Sequence, residues 1–539
     1  MKRMLAIALA VLLVFGLTAC GGTIEKADTP VASAATGAAG ETAQTKQVVV
    51  GVSMGATTMD PAHEYEWDAE MMLHSVYPTL VTSDYADESK ILPCVASEWV
   101  ISDDGLTYTF TLNQGIQFTT GKELKASDVA FSLNRLKGAA GNPSFLLSSV
   151  ESVEATGDYE VTVTLSEPNP ALLNILTRAS AGVYDAEVAQ ANGATCDSSD
   201  AGQAYFDTTS IGCGPYMISS FNSGSELVLV KNPDSYFPAG NVDTYIIRNI
   251  ADSATQQMEL EGGDLDFALD LTADQTALLE GNENIKLVSF DTMDIFFLGL
   301  NASEEYGKEL ANPTVREAIR YAIDYPGLCA LAGNGATTPA GIIPKGFLGY
   351  AGETTITRDV EKAKALLTEA GYPDGITFSM GVIPDMAPDG VSFMTLAQKV
   401  QADLAEAGIT VNIEPQEVAV YLEGYRDGKQ QSVMCHWGPD YNDSNNQLAF
   451  LPGNTVGLRL GWTAEMDPEL AELGQKASVE TDSDKRAELF TEIQKQMDEK
   501  NAPAVVLLQP GKTWAVSSRL KNLTVSAAFC FDFVSLDVQ

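Results

Sequence analysis

Two hydrophobic patterns divide the chain. In its first half, β-branched runs and strict alternation of apolar and polar residues predict strands. The run at 46–54 (KQVVVGVSM) predicts a buried strand. Alternating segments predict half-buried antiparallel strands, and they span 106–112, 159–165 and 225–232.

The second half shows helical spacing instead. Three segments carry it, and they span 312–325, 358–372 and 393–415. Asn312 and Pro313 suit the start of a helix, as N-cap and first helical residue. Gly371 and Gly408 suit helix ends, and a strand pattern follows Gly408. Helices alternating with strands predict an α/β domain in the second half. Because the first half is rich in strands instead, we expect an α/β protein with at least two architectures in one chain.

The N-terminus predicts export. Lys2 and Arg3 precede an apolar run, residues 4–17, that is too short to span a bilayer comfortably. Residues 17–20 (LTAC) resemble the lipobox of bacterial lipoproteins, in which the cysteine is acylated. We therefore expect residues 1–20 to be a lipoprotein signal peptide with Cys20 as its lipidation site. Residues 21–47 lack aromatic residues and predict a flexible tether.

The net charge of the chain limits the kinds of molecule that it can bind. The chain has 73 Asp and Glu against 32 Lys and Arg, a net charge of -41. Such a surface repels nucleic-acid phosphates and anionic lipid. No apolar run after the tether is long enough to span a bilayer. We expect no nucleic-acid partner, and we expect acylated Cys20 to be the contact with the lipid bilayer.

The remaining cysteines show no metal-binding spacing. They are scattered without a CxxC pair, at Cys94, Cys196, Cys213, Cys329, Cys435 and Cys530. Export permits disulfides, and Cys196 with Cys213 is the nearest pair in sequence. Spacing does not establish that they pair, and buried free thiols are the favoured interpretation.

A serine hydrolase is the first enzyme hypothesis. GVSMG at 51–55 fits G-x-S-x-G, with Ser53 as the nucleophile. That chemistry needs a strand-to-helix turn and a histidine in reach, and the chain has three histidines. No helical pattern follows Ser53 directly, so a strand-end residue is the favoured interpretation. We expect no catalytic residue.

A metal site is the second hypothesis. His63, Glu66, Glu70 and His74 would share one face of a helix. Imidazole and carboxylate groups there could bind zinc or nickel. A solvated polar face explains the same spacing, and we expect neither a bound metal nor a cofactor.

Binding is the third hypothesis, and two loops suit it because they place aromatic residues beside charges. The candidate ligand-binding residues are Tyr65, Trp67, His436, Trp437, Asp440 and Tyr441. A carboxylate against an aromatic wall would pair with a cation such as an α-amino group. The structural alternative is a loop whose Asp440 caps a turn, and the residues alone leave both open.

Longer motifs resemble a known family. Residues 59–81 (MDPAHEYEWDAEMMLHSVYPTLV) and 91–136, which include DDGLTYTFTLNQGIQF and KASDVAFSL, are similar to the extracellular solute-binding proteins of family 5. These are the peptide and nickel class served by ABC importers. Further matches are SIGCGPYMISSF, NPTVREAIRYAID, DVEKAKALLTEAGYPDG and WGPDYNDSNN.

The resemblance implies a periplasmic-binding-protein-like, two-lobed clamp of type II, cluster C, with an inserted domain. Lobe I would comprise 48–85, 205–290 and 510–539. A strand-rich insertion would comprise 86–204, and lobe II would comprise 291–509. The lobes would close around the ligand by a hinge motion.

The same resemblance implies a monomeric receptor that hands its solute to an ABC permease and its ATPase. Asp440 aligns with the aspartate that pairs the ligand's amino group in dipeptide-binding members. Their carboxylate-binding arginine has no counterpart in residues 381–394. Amine capture therefore carries over and carboxylate capture does not, while a nickel or metal-chelate ligand stays open as an alternative.

Overall fold

The computed structural model describes residues 45–238, 240–527 and 530–539, with Cys530 described by its backbone only. The expected signal peptide, Cys20 and all but the last residues of the tether therefore lie outside the described residues. Within these three ranges, no helix is both long and apolar enough to cross a membrane.

A seven-stranded mixed sheet builds the first lobe. Its strands lie in the order Ile285–Asp291, Gly511–Ser517, Phe267–Ala268, Gln47–Val52, Thr244–Asn249, Glu226–Lys231 and Tyr216–Asn222. The strand predicted at 46–54 is thus confirmed over Gln47–Val52, where it pairs in parallel with both neighbours. Burial of Val48, Val50 and Val52 makes this strand the centre of the first core.

A four-stranded antiparallel sheet stands apart, with its own core. Its order is Ala96–Ile101, Thr107–Leu112, Glu160–Leu165 and Val150–Gly157. Tyr108, Phe110 and Leu112 point inward while the intervening residues are less buried, as the alternation predicted. The helix Ala126–Gly138 packs its apolar side on this sheet.

A five-stranded sheet builds the second lobe. Its order is Ile409–Pro415, Ile376–Val382, Ser432–Trp437, Ile295–Leu300 and Ala504–Leu508. The predicted helix stop at Gly408 is confirmed, with φ of 84° between the helix Phe393–Glu406 and its strand. Three short antiparallel pairs complete the described strands. They join Val81–Asp84 with Asp87–Pro93, Leu520–Lys521 with Asp537–Val538, and Val525–Ser526 with Cys530–Phe531.

Helices surround the sheets. The α-helices in the described ranges span Trp67–Leu73, Ala126–Gly138, Leu172–Ile175, Ala186–Ala191, Gln203–Phe206, Ser253–Gly262, Ala273–Leu278, Glu304–Gly307, Pro313–Ala322, Tyr325–Ala332, Val360–Glu369, Phe393–Glu406, Val418–Arg426, Thr455–Arg459, Pro468–Val479 and Ser483–Glu499. The 3₁₀ turns span Asn142–Leu147, Ala179–Ala181, Lys308–Ala311, Pro388–Gly390 and Ser444–Phe450.

The helix predicted at 312–325 begins as expected but ends early. The Asn312 side chain accepts a hydrogen bond from the Thr314 N–H and caps the helix. The helix then stops at Ala322, and Asp324 caps a second helix from Tyr325. Pro326 cannot extend the first helix, because it has no N–H to donate to the Ala322 carbonyl and its ring would clash with that group, whereas the first turn of a new helix tolerates proline.

Two short segments join the lobes, residues 291–295 and 508–511, and they are hydrogen-bonded to each other. The Thr292 hydroxyl donates to the Pro510 carbonyl at 2.9 Å. The Gln509 side-chain amide donates to the Thr292 carbonyl at 2.6 Å. Because both crossings are paired, they form a single hinge, and the cleft between the lobes opens beside it.

A buried arginine joins the four-stranded sheet to the first lobe. Arg135, on the helix Ala126–Gly138, forms two hydrogen bonds to Asp60 at 2.8 and 2.5 Å. It forms two more to Asp200 at 2.8 and 2.9 Å. All three side chains are at most 1% exposed, so each carboxylate depends on this guanidinium for its charge balance.

Replacing Arg135 with methionine should lower the free energy of unfolding by about 3–5 kcal/mol, because two buried carboxylates lose their counter-charge. Urea unfolding followed by tryptophan fluorescence measures this. The control is Lys137→Met on the exposed side of the same helix, which should change stability by less than about 0.5 kcal/mol. Equal effects of the two substitutions would show that the Arg135 bridge does not hold the domains together.

Candidate functional site

Asp440 lies in the loop after the strand Ser432–Trp437 and receives hydrogen bonds from both lobes. The Tyr65 hydroxyl donates to Asp440 Oδ1. The Asn446 amide donates to Oδ2 at 2.8 Å, and its oxygen accepts the Trp437 indole N–H at 2.9 Å. Burial raises the pKa of Asp440, and the Asn446 hydrogen bond only partly offsets that rise. Among the described residues, no Lys, Arg or His forms an ion pair with this carboxylate.

The residues around Asp440 hold fixed orientations. The Tyr65 ring packs edge-on against Phe145, with ring centroids 5.7 Å apart. The Trp437 ring packs edge-on against Phe450, also at 5.7 Å, and belongs partly to the core of the second lobe. The structure thus brings together the predicted residues Tyr65, Trp437 and Asp440. Asn446 connects the last two.

A second charged group lies between the lobes. Lys512 Nζ is 3.5 Å from Asp389 Oδ1 and 4.8 Å from the centre of the Trp67 ring. Asp294 contacts Asp389, and burial together with that neighbouring charge holds the pKa of Asp294 well above its usual range. Trp67 is therefore part of this group, which we call the hinge charge cluster: Asp294, Asp389, Lys512 and Trp67.

The other two predicted residues lie behind these groups. His436 packs between Phe296 and Phe393, at 5.9 and 5.8 Å between ring centroids, and burial lowers the pKa of its imidazole. Tyr441 packs against the core of the four-stranded sheet. Whether these two side chains contact a ligand stays a prediction.

Asp443 shapes the loop. It pairs with Arg486 through both guanidinium nitrogens, and it accepts the Asn445 N–H at 2.8 Å to cap the turn Ser444–Phe450. Asn174 of the four-stranded domain also donates to it at 3.3 Å. These contacts account for Asp443 without any ligand.

A cavity of about 850 Å³ adjoins this loop. Both lobes line it, including Glu88, Phe290, Lys345, Asn442 and Arg486. Its volume falls within the range of small-ligand sites. Asn442, Asp443 and Ser444 of the loop after Asp440 are among its lining residues.

The serine-hydrolase arrangement is not found in the described part of the chain. Ser53 follows the strand Gln47–Val52, and its N–H donates to Asp270 at 2.6 Å. The three histidines contact other groups: His63 lies 2.8 Å from Asp200, His74 Nε2 lies 2.8 Å from the Thr177 carbonyl, and His436 packs between phenylalanines.

The helical metal hypothesis is wrong in its geometry. His63 lies in a turn before the helix, and Glu70 accepts the Ala179 N–H at 2.7 Å. Among the described residues, Asp60, His63 and Asp200 do lie close enough to share an ion. The Arg135 guanidinium already occupies the carboxylate oxygens of that group, so its chemistry is that of an ion pair.

The described thiols are free. Cys94, Cys329 and Cys435 are half-buried, Cys213 is buried and Cys196 is exposed. Cys196 therefore departs from the expected buried state, because it lies in an exposed loop at 195–200.

This architecture defines a class: a two-lobed binding protein whose cleft lies beside a paired hinge. Residues 90–457, most of the chain, match the bacterial extracellular solute-binding proteins, family 5 middle. The chain belongs to this family, whose members and named relatives are transport binding proteins rather than enzymes.

Two curated relatives are similar along much of their length. The glutathione-binding protein GsiB of Salmonella paratyphi A is 28% identical over 500 residues, covering 89% of this chain and 91% of that protein. GsiB of Escherichia coli O1:K1 / APEC is 30% identical over 373 residues, covering 68% and 69%.

Solved structures agree on the fold. The periplasmic binding protein DppA of Helicobacter pylori, in complex with the peptide STSA, is 25% identical with a TM-score of 0.74, covering 91% of this chain and 98% of that one. HbpA2 of Haemophilus parasuis is 24% identical with a TM-score of 0.79, covering 92% and 100%.

Four site residues escaped prediction: Asn446, Asp294, Asp389 and Lys512. A Pro-Asp-Gly turn at 388–390 could have drawn attention to Asp389, because such turns present a carboxylate at a fixed angle. Nothing local distinguishes Lys512 or Asp294, since their meeting depends on the tertiary path of both hinge segments.

Glu64, which lies beside Tyr65, should make the stability of the protein depend on pH. Burial raises the pKa of Glu64 to about 7, against the N–H groups of Thr58 and Glu66 that donate to its carboxylate. The folded state thus holds a proton that the unfolded chain has lost. The contribution of Glu64 to the stability of the fold is complete below pH of about 4.5 and is lost as pH rises to about 7.

The parent protein should lose stability as pH rises from 5 to 8, and Glu64→Gln should not. The difference in the free energy of unfolding between the variant and the parent should therefore grow by about 2 kcal/mol over this range. Urea unfolding at several pH values in this range measures the gain. Glu151→Gln, on an exposed strand position, should leave the pH dependence unchanged. Parallel pH curves for Glu64→Gln and the parent protein would contradict the assignment.

Proposed function

We propose that this chain is the solute-binding lipoprotein of an ABC importer, working as a monomer outside the cytoplasmic membrane. It captures peptides or another amine-bearing solute between its lobes and presents the closed form to a permease with its ATPase. It releases the solute unchanged and uses neither a catalytic residue nor a cofactor.

The observation that carries this proposal is the environment of Asp440. Its carboxylate is half-buried between the lobes and is met by two neutral donors, Tyr65 and Asn446. Burial raises its pKa and no cation of the described ranges pairs with it, so a cationic group of the solute would stabilise its charged form. An α-ammonium group would replace the phenolic hydroxyl with a full positive charge.

Closure supports the same role. The loop that carries Asp440 also reaches the strand Asp87–Pro93 through Asn442, whose amide donates to Glu88 at 2.5 Å. Glu88 in turn accepts the Ser526 hydroxyl at 2.6 Å. A solute bound at Asp440 adds to these contacts, so it shifts the population toward the closed state.

Known relatives are consistent with such a solute. Glutathione, named for the GsiB proteins, and the peptide of the Helicobacter pylori complex are both peptides. Glutathione is therefore one candidate within the proposed class. A metal-chelate ligand draws no support from the described contacts, because the acidic group at Asp60 is neutralised by Arg135.

Asp440→Asn should weaken binding of the copurifying solute, identified first by native mass spectrometry, by roughly ten- to a hundredfold. The substitution keeps the shape of the side chain and removes its charge. Calorimetric titration measures the affinity, and a thermal melt should shift little.

Two variants accompany this test. Asp427→Asn, exposed at the end of the helix Val418–Arg426, should leave affinity unchanged. Asp443→Asn should instead lower the melting temperature, because the buried Arg486 loses its counter-charge. If Asp440→Asn binds the solute with full affinity, Asp440 does not bind the ligand and serves only to shape its turn.

Cys20→Ser should move the protein from the membrane fraction to the soluble fraction, because serine has no thiol to which the diacylglycerol group can be attached. Fractionation of cells followed by immunoblotting measures this. Cys196→Ser, at an exposed cysteine of the folded body, should remain in the membrane fraction. Continued membrane association of Cys20→Ser would contradict the lipid anchor.

A further inference from the structure

A loop of the second lobe docks onto the four-stranded domain through three consecutive residues. The Tyr441 ring packs against the core of that domain. The Asn442 amide donates to Glu88 at 2.5 Å, and Asp443 accepts a hydrogen bond from the Asn174 amide at 3.3 Å. We call these five residues the clasp.

The four-stranded domain presents both of its clasp residues. Glu88 accepts the Ser526 hydroxyl at 2.6 Å, which helps to orient its carboxylate. Its strand, Asp87–Pro93, pairs with a strand whose first residue, Val81, belongs to the core of the four-stranded domain. Asn174 lies on a short helix that packs into the same core.

The second lobe holds its side of the clasp independently. Asp443 pairs with the buried Arg486 and caps its own turn, so its position does not depend on Asn174. Both donors of the clasp, Asn174 and Asn442, are neutral amides. Hydrogen bonds from neutral amides are individually weak, so the two surfaces can separate and meet again.

The clasp joins two bodies that the hinge allows to rotate. The buried pair of Arg135 and Asp60 ties the four-stranded domain to the first lobe, so that domain moves with the first lobe. The cavity of about 850 Å³ is lined by all four hydrogen-bonding residues of the clasp, two from each side. Its walls therefore separate when the clasp opens.

We propose that the clasp holds the cleft closed through the four-stranded domain, and that it sets how tightly every solute is held without choosing among solutes. Its hydrogen bonds join protein groups only, so none of them depends on the chemistry of the solute. Asp440, the proposed partner of the solute's amine, is not a member. This inference rests on the proposed function only for its affinity measurements.

Population arithmetic gives the expected size of the effect. A solute that binds the closed form has an apparent affinity in proportion to the fraction of protein that is closed. Loss of one neutral hydrogen bond should lower the closed-to-open ratio by roughly two- to tenfold. Affinity should therefore fall by up to the same factor, whichever solute is bound.

Hydrogen exchange of the full chain, without added solute, tests the contact itself. Asn442→Ala should speed amide exchange in residues 172–176 and 441–444 by roughly two- to tenfold, because water reaches both surfaces each time the clasp opens. Asn412→Ala, exposed on the strand Ile409–Pro415, should leave both segments unchanged. Unchanged exchange in Asn442→Ala would overturn the proposal.

Calorimetric titration with two unrelated peptides, trialanine and glutathione, tests the role in binding. Asn442→Ala and Asn174→Ala should each weaken both peptides by roughly two- to tenfold and keep the ratio of their affinities within about twofold. Melting temperatures should shift little. A loss confined to one peptide would place the substituted side chain against the solute and overturn the proposal.

A reversed pair separates the clasp from a general disturbance of the loop. Asn442→Asp sets two carboxylates against each other and should weaken both peptides more than Asn442→Ala does. Adding Glu88→Gln restores a donor and an acceptor in opposite order, so affinity should return to within about threefold of the parent value. Failure of this rescue would contradict the contact. If neither peptide binds the parent protein, peptide capture fails, and hydrogen exchange alone decides the clasp.

Discussion

The hydrogen-bonded pair of hinge segments is the constraint on which the rest of the molecule depends. Thr292, Gln509 and Pro510 tie the two crossings together, so the lobes can rotate about one line but cannot slide freely. Each lobe has its own sheet and core, which lets it move as a rigid body. This arrangement favours opening and closing of the cleft by rotation of two rigid lobes.

Charge placement follows from that arrangement. Asp294 lies in the first hinge segment and Lys512 directly follows the second, while Asp440 lies in a loop of the second lobe that reaches Tyr65 of the first. In the structure, each carboxylate meets a donor of the protein: a tyrosine hydroxyl at Asp440 and an ammonium at Asp389. A solute must compete with these internal donors, so only a group with more charge or better geometry gains net binding energy.

The sequence predicted local structure well and the site only in part. Strand alternation at 106–112 and the cap at Asn312 depend on neighbouring residues, so the pattern was sufficient. The importance of Asp440 was available through a family motif. The meetings of Lys512 with Asp389, and of Arg135 with Asp60, join residues distant in sequence, and no local pattern encodes them. The early end at Ala322 reflects Pro326, which cannot continue a helix but suits the first turn of the next one.

The acidic surface adds a long-range effect to these contacts. A net charge of -41 attracts cationic solutes and repels anionic ones, which raises the encounter rate of a basic peptide. At physiological ionic strength, however, screening limits that attraction to about 8 Å. Surface charge can therefore speed arrival but cannot choose between ligands once they enter. We propose that discrimination between ligands comes from the half-buried carboxyls of the cleft, because an unpaired buried charge is costly.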